Sequence, residues 1–262
     1  TTMHRRLHIL AAMVGFPGAQ APPAVVSSLA ALAQKTVPKE RLAAACHTLR
    51  QGQHVGLEAL LKHWAYLGYR MEMGVEVPGT MSRRGGILDI YPPGSPFPAR
   101  LELWGDYIES IRLFDPGTQR SLKVIDSLSI IPAQELLSHV DEDALSSLTK
   151  KLDFSNCTVG VRDRIQEEIS ALLAGYSIED GSFYGGFFNH GTLLDYFPAN
   201  GLLVLCSPGQ YRGTAEDLDQ RVWQLRQSKA ARGEIPGNFP WPHLLWQEAR
   251  ADLAGRQPCL QL

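Results

Sequence analysis

Arg100-Leu101-Glu102-Leu103-Trp104-Gly105-Asp106-Tyr107-Ile108-Glu109-Ser110-Ile111-Arg112-Leu113-Phe114 reads as two strands joined by the two-residue turn Gly105-Asp106. A Gly-Asp pair between apolar-rich runs is hairpin chemistry, because such turns need backbone conformations that glycine adopts without a Cβ penalty. Side chains alternate across a strand with a period of two. Leu101 and Leu103 therefore share one face, and Arg100, Glu102 and Trp104 share the other. The leucines belong in a core. The opposite face carries an indole flanked by a guanidinium, and these two residue types dominate the buried anchors of protein interfaces. Taken alone, one Trp on a strand face is better explained by cover from another element of the same chain.

Gly86 to Tyr91 reads as a neighbouring strand, entered through the Gly85-Gly86 bend, and Pro92-Pro93-Gly94 closes the other end of an antiparallel meander. Arg83-Arg84, just before that bend, either brings another guanidinium to the same surface or forms a solvated loop pair. Upstream, Gln51-Gly52 makes a turn, and Leu57, Leu60, Leu61 and Trp64 fall at i, i+3, i+4 and i+7 before Gly68, the pattern of an amphipathic helix with its stop.

The flanks have a different texture. The chain opens in a helical pattern with Leu7, Leu10 and Val14 near one stripe. After Pro22-Pro23, Ala24-Val25-Val26 reads as a buried strand, and Ser27 or Ser28 caps a helix running through Leu29 and Leu32. Beyond Pro132, helical stripes return at Leu145, Leu148 and Leu152, and at Ile165, Ile169 and Leu172. Leu202-Leu203-Val204-Leu205 is too short an apolar run for a helix. It reads as a parallel, covered strand, followed by a helix carrying Leu218, Val222 and Leu225, with a last strand at Cys259 to Leu262. The expected organisation is a partial, truncated α/β lobe over 1–46, an α+β domain over 47–133 and a second α/β lobe segment over 134–262. Thr1 and the abrupt end read as cuts from a longer chain.

Composition excludes several classes. The chain has 262 residues, 44% apolar and 20% charged, with 25 Lys plus Arg against 27 Asp plus Glu for a net charge of −2. That is a globular composition, with no overall field to draw the chain to nucleic acid or anionic lipid. No apolar run reaches the roughly 20 residues of a membrane span, and no secretory signal opens the sequence, so a cytoplasmic protein is expected. Cys46, Cys157, Cys206 and Cys259 are far apart with no C-x-x-C, and read as four buried small hydrophobes.

Catalytic patterns are missing. The phosphate cradle G-x-x-x-x-G-K-[ST] does not occur, and the Leu202–Leu205 run leads into Cys206-Ser207-Pro208-Gly209 rather than the carboxylates that would hold magnesium. The eight His show no metal-ligand spacing and there is no G-x-S-x-G elbow, so no metal and no cofactor are expected; an undetected hydrolase is the minor alternative. Phe183, Tyr184, Phe187 and Phe188 around Gly185-Gly186 would suit base stacking, but no basic residue lies between Arg164 and the end of that cluster, so an internal aromatic plug is expected.

Gly68-Tyr69-Arg70, Val77-Pro78-Gly79, Arg84 to Pro92, Arg100 to Asp106, Ile108 to Asp115, Gln119 to Leu122 and Ile131-Pro132-Ala133 together resemble the domain shared by the bacterial transcription-repair coupling factors and the excision-nuclease subunit UvrB. Val25 to Pro38 and Asp195 to Val204 are similar to coupling-factor segments on either side, so the resemblance covers nearly the whole chain. It implies a degenerate nucleotide-hydrolase-like (RecA-like) fold that has lost its active site and is interrupted by an inserted α+β domain with an antiparallel sheet. It also implies a non-catalytic module that recruits UvrA to stalled RNA polymerase in nucleotide excision repair. The alternative is a fragment of UvrB, an ATP-dependent damage verifier. The family's UvrA-docking residues match Arg84, Arg100 and Trp104 here, with Arg83 and Glu102 as weaker contributors. RNA polymerase and DNA would be partners only through family regions outside these residues, notably an ATP-dependent DNA-translocating motor. A monomer without membrane contact is expected, in which Arg100→Ala or Trp104→Ala weakens UvrA binding by roughly 2 kcal/mol or more and leaves the fold intact.

Overall fold

The computed structural model describes residues 2–16, 24–137, 147–174, 176, 178, 181–198, 200–206, 208–256 and 259–261. In chain order the elements are α1 (Thr2–Met13), α2 (Leu29–Ala33), α3 (Lys39–Ala45), β1 (His47–Arg50), α4 (Leu57–Tyr66), β2 (Arg70–Met71), β3 (Thr80–Arg84), β4 (Ile87–Ile90), β5 (Ala99–Trp104), β6 (Tyr107–Phe114), β7 (Ser121–Val124) and β8 (Ser127–Ile130). They continue as α5 (Val159–Leu173), a 3-10 turn (Gly181–Tyr184), α6 (Gly185–Phe188), a second 3-10 turn (Leu193–Tyr196), β9 (Leu203–Leu205), α7 (Pro208–Ala231), α8 (Trp246–Ala254) and β10 (Cys259–Gln261). The fold is mixed α/β. No helix among the described residues is long and apolar enough to cross a membrane.

The chain divides into two units, one of residues 1–23, 39–137 and 175–177, the other of 24–38, 138–174 and 178–262. The expected separate lobe over 1–46 is therefore split. Residues 1–23 belong with the sheet unit because Leu7 and Leu10 of α1 are fully buried and Arg6 pairs with Glu135 at 3.3 Å. Val14, expected on the same stripe, falls just beyond the helix and is half-buried.

In the first unit, six strands pair in the order β2-β3-β4-β5-β6-β7. The expected antiparallel meander runs from β3 to β7, and β2 adds one edge strand parallel to β3. β1 and β8 form a separate antiparallel pair. One sheet face is core, with Leu88, Ile90, Ala99, Leu101, Ile108 and Ile111 all fully buried. Helix α4 buries Leu60, Leu61 and Trp64 and ends at Gly68, whose φ of +88° suits glycine.

The hairpin turns are set by their glycines. Arg84 pairs with Ile87, leaving Gly85-Gly86 as a two-residue loop in which Gly85 has φ +61°. At Gly86 the constraint is space, since a Cβ there would lie 2.7 Å from the Leu103 carbonyl oxygen while Leu103 N–H donates to the Gly86 carbonyl. Gly86→Ala should therefore lower unfolding stability by about 1–3 kcal/mol through overpacking against backbone. Gly105, with φ +58° and open space around it, should cost only about 1–2 kcal/mol as alanine. Urea midpoints of the two variants check both figures.

His47 is built in as a neutral ring. The Trp64 indole N–H donates to His47 Nε2 at 3.3 Å, so the proton sits on Nδ1, which faces the Ala45 carbonyl at 3.3 Å. Burial, opposed by the Ala45 hydrogen bond and reinforced by nearby His63, holds its pKa below 6.5. Burial chiefly does the same at His4. Below about pH 6.5 the unfolded chain takes up protons that the folded rings resist, so stability should be full above that pH and fall as the pH drops through 6 towards 5. Denaturant melts at pH 7.5 and 5.5 test this, and His47→Gln should flatten the slope.

The second unit corrects other expectations. Ala24 to Val26 is not a buried strand; these residues are exposed and pair with no strand among the described residues. Ser28 does cap α2, its hydroxyl accepting from Ala31 N–H. Ile165, Ile169 and Leu172 are the buried stripe of α5, capped by Thr158. Leu148 and Leu152 are half-buried, and Leu145 lies outside the described residues. Strand β9 pairs parallel with β10, as expected, but it is not covered: Leu203 and Leu205 are half-buried and Val204 is exposed, because a two-stranded pair hides neither face. On α7, Leu218 and Val222 are half-buried and Leu225 is exposed. Tyr184, Phe187 and Phe188 are buried with Phe239, on which Phe183 stacks at 4.5 Å, so the aromatic run is core rather than a base platform. Of the four cysteines, all unpaired, Cys46, Cys157 and Cys259 are half-buried and Cys206 is exposed, not the four buried hydrophobes expected. Burial pushes the Cys46 thiol up to about 12.

Candidate protein-docking face

The second face of the six-stranded sheet carries the expected residues, and an internal carboxylate organises them. Register places Ser82 beside Asp89, Asp89 beside Arg100 and Arg100 beside Arg112 across four strands. The Asp89 side chain is 1% exposed and accepts from Arg100 Nε (2.7 Å) and Nη2 (2.8 Å) and from Arg84 Nη2 (3.0 Å). Two adjacent Arg on neighbouring strands would repel; a buried carboxylate between guanidiniums turns that repulsion into charge-assisted bonding. Hydrogen bonding to Asp89 raises the Arg100 pKa above its ordinary value against the effect of burial. The Arg100 guanidinium also lies over the Phe114 ring, 4.7 Å from its centroid, and Phe114 forms a buried cluster with Val75 and Tyr91.

This arrangement separates the expected guanidiniums. Arg84 is 57% exposed and Arg100 only 19%, so Arg84 is free to reach outward while Arg100 is largely committed to the fold. The expectation that Arg100→Ala leaves the fold intact is corrected accordingly, because that change strips Asp89 of its bidentate partner. Arg83 is turned away altogether. It pairs with Leu88 on the core-side face and its guanidinium bonds Glu58 of α4, since successive residues of a strand point to opposite faces.

Strand β6 holds what period-two reading missed. Glu102 pairs with Ser110 but Leu103 pairs with Ile108, so Glu109 is an extra residue, a bulge that resets the alternation. Ile108 and Ile111 both reach the core, while Ser110 and Arg112 share the face of Glu102. Ser110 donates to Glu102 Oε2 at 2.7 Å and Arg112 Nη2 donates to the same oxygen at 2.9 Å. The spacing of the two isoleucines, three rather than two, was the available signal.

Trp104 stands at the end of this face, 81% exposed. Its cross-strand neighbour Tyr107 is exposed, as are Ile87 beside Glu102 and Val124 beside Arg112. An indole, a phenol and two aliphatic side chains beside a bonded set of three guanidiniums and two carboxylates form an anchor-and-rim surface. Among the described residues, no group of three His, Cys, Asp or Glu is placed to hold a metal ion.

Comparison with known proteins gives this face a context: residues 48–136 match the family model described as the UvrB interaction domain. The chain carries a UvrB interaction domain. That span contains Arg83, Arg84, Asp89, Arg100, Glu102, Trp104 and Arg112. Around the UvrB interaction domain, the chain is homologous to transcription-repair-coupling factors. It is 29% identical to that of Bacillus subtilis over 224 residues, 30% to that of Myxococcus xanthus over 228 and 30% to that of Escherichia coli K12 over 216. These matches cover 81%, 81% and 82% of this chain and 19%, 18% and 18% of the relatives, so the chain spans about a fifth of the length of the curated proteins it matches.

Proposed function

We propose that this chain is the non-catalytic UvrB-like module of a transcription-repair-coupling factor, and that its UvrB interaction domain recruits UvrA to stalled RNA polymerase for nucleotide excision repair. The observation that carries this reading is Trp104, a large aromatic held outward at a rigid hairpin end with Arg84 on the same face. Trp104 fills an apolar recess of UvrA, and Arg84 meets a carboxylate or carbonyl beside it. Arg100 supports Arg84 by fixing Asp89 beneath it; Glu102 contributes at the centre of the face, and Arg83 acts only through its contact with α4.

The flanking segments are read as parts of nucleotide-hydrolase-like (RecA-like) lobes without a working site. The parallel β9–β10 pair and the succession of β9 and α7 support this, and the sequence lacks the phosphate cradle. RNA polymerase and DNA are then engaged by other parts of the longer protein. Capture of purified UvrA by the immobilised 262-residue chain tests the reading. Arg84→Glu should abolish most of the capture by placing like charges together, and equal capture by both chains would contradict it.

A further inference from the structure

The geometry points to Arg112 as a second partner-facing guanidinium, which lies diagonally across the sheet from Arg84, flanks Ile87 with it, and selects a partner surface carrying two separated carboxylates. The inference rests on the reading of this face as the UvrA-docking surface and adds a specificity-determining residue to it. Three observations carry it. Arg112 is 39% exposed at its side chain, twice the 19% of Arg100, so it has the reach that Arg100 lacks. Only one of its nitrogens, Nη2, is bonded among the described residues, to Glu102; its Nε is buried without a partner there, so outward bonding falls to the Nη groups, whereas Arg100 spends Nε and Nη2 on Asp89. Its neighbour across the β6–β7 pairing is the exposed Val124, so an apolar side chain stands on its outer side.

The register sets the spacing. Arg84 lies on β3 in the row of Ile87, Glu102 and Ser110, and Arg112 on β6 in the adjacent row of Asp89 and Arg100, three strand separations across and one alternation along, which is about 16 Å at the usual strand dimensions. Ile87 and Glu102 lie on the row of Arg84, and Trp104 one alternation beyond Glu102 along β5, on the side away from Arg112. With three guanidiniums against two carboxylates, the face keeps one positive charge in excess. A partner with one carboxylate would satisfy Arg84 and leave Arg112 desolvated without an anion, so the pair favours an acidic surface with two such groups at that spacing beside the recess that takes Trp104.

Calorimetric titration of UvrA with the whole 262-residue chain, at low and high salt, tests this with Arg112→Gln, Arg112→Lys and Trp104→Ala in parallel. Arg112→Gln should bind roughly tenfold more weakly at low salt and show a shallower salt dependence, while Arg112→Lys keeps most of the salt dependence. A merely structural role would leave the salt dependence unchanged in both. If Arg112→Gln binds with the parent's affinity and salt dependence while Trp104→Ala is weakened, the inference is overturned and the docking reading stands. If Trp104→Ala also binds like the parent, the docking reading itself fails.

Discussion

Trp104→Ala is expected to weaken UvrA binding by about 2 kcal/mol or more, while leaving the unfolding free energy within about 0.5 kcal/mol of the parent chain. The two halves have one cause. An indole that is 81% exposed contributes little to the fold, because its surface is in water before and after unfolding. Buried in a partner's recess, the same surface becomes the largest single apolar gain on the face. The turn that presents it is rigid, since Gly105-Asp106 joins two long paired strands and Val55 N–H donates to the Asp106 carbonyl at 2.7 Å. Little ordering entropy is then lost on docking. Isothermal calorimetry and a urea melt on the same preparation measure both quantities. Parent-like affinity, or a large loss of stability, would remove Trp104 as the anchor.

Asp89→Ala is expected to show the reverse pattern, a loss of about 3–5 kcal/mol of stability from the removal of one partner of a buried ion pair. Asp89 is the only carboxylate bonded to both Arg84 and Arg100 among the described residues. Without it, Arg100 keeps a charge in a place where Glu102 acts only at longer range, Gln119 offers one contact at 3.5 Å and water reaches poorly. Arg100→Ala should fall at the lower end of the same range, because Arg84 still reaches the stranded carboxylate. Both variants should also weaken UvrA binding, but through loss of folded chain and of Arg84 placement. Binding corrected for the folded fraction separates these from Trp104→Ala. An Asp89→Ala chain as stable as the parent would show that the ion-pair hub does not organise the face.

The hairpin was legible because period two and the Gly-Asp turn are both local signals: Arg100 to Trp104 alone says which side chains share a face. The role of Arg100 was not legible, because its partner Asp89 comes from a neighbouring strand and only register brings them together. Arg112 was hidden by the bulge at Glu109, which a strict alternation reads as the wrong face. Arg83 and Arg84 looked like a pair in sequence, yet adjacency on a strand is what sends them to opposite faces. The assignment of α1 to the sheet unit depends on long-range packing of Leu7 and Leu10, which a helical stripe announces without naming what it packs against.

The most direct measurement is backbone hydrogen–deuterium exchange of the 262-residue chain with and without saturating UvrA. Protection should be gained at the two neighbouring hairpin ends, Arg84 to Ile87 and Trp104 to Tyr107, because those backbones lie under the docked surface. Binding accompanied by protection only outside residues 48–136, with both hairpin ends exchanging as in the free chain, would contradict it.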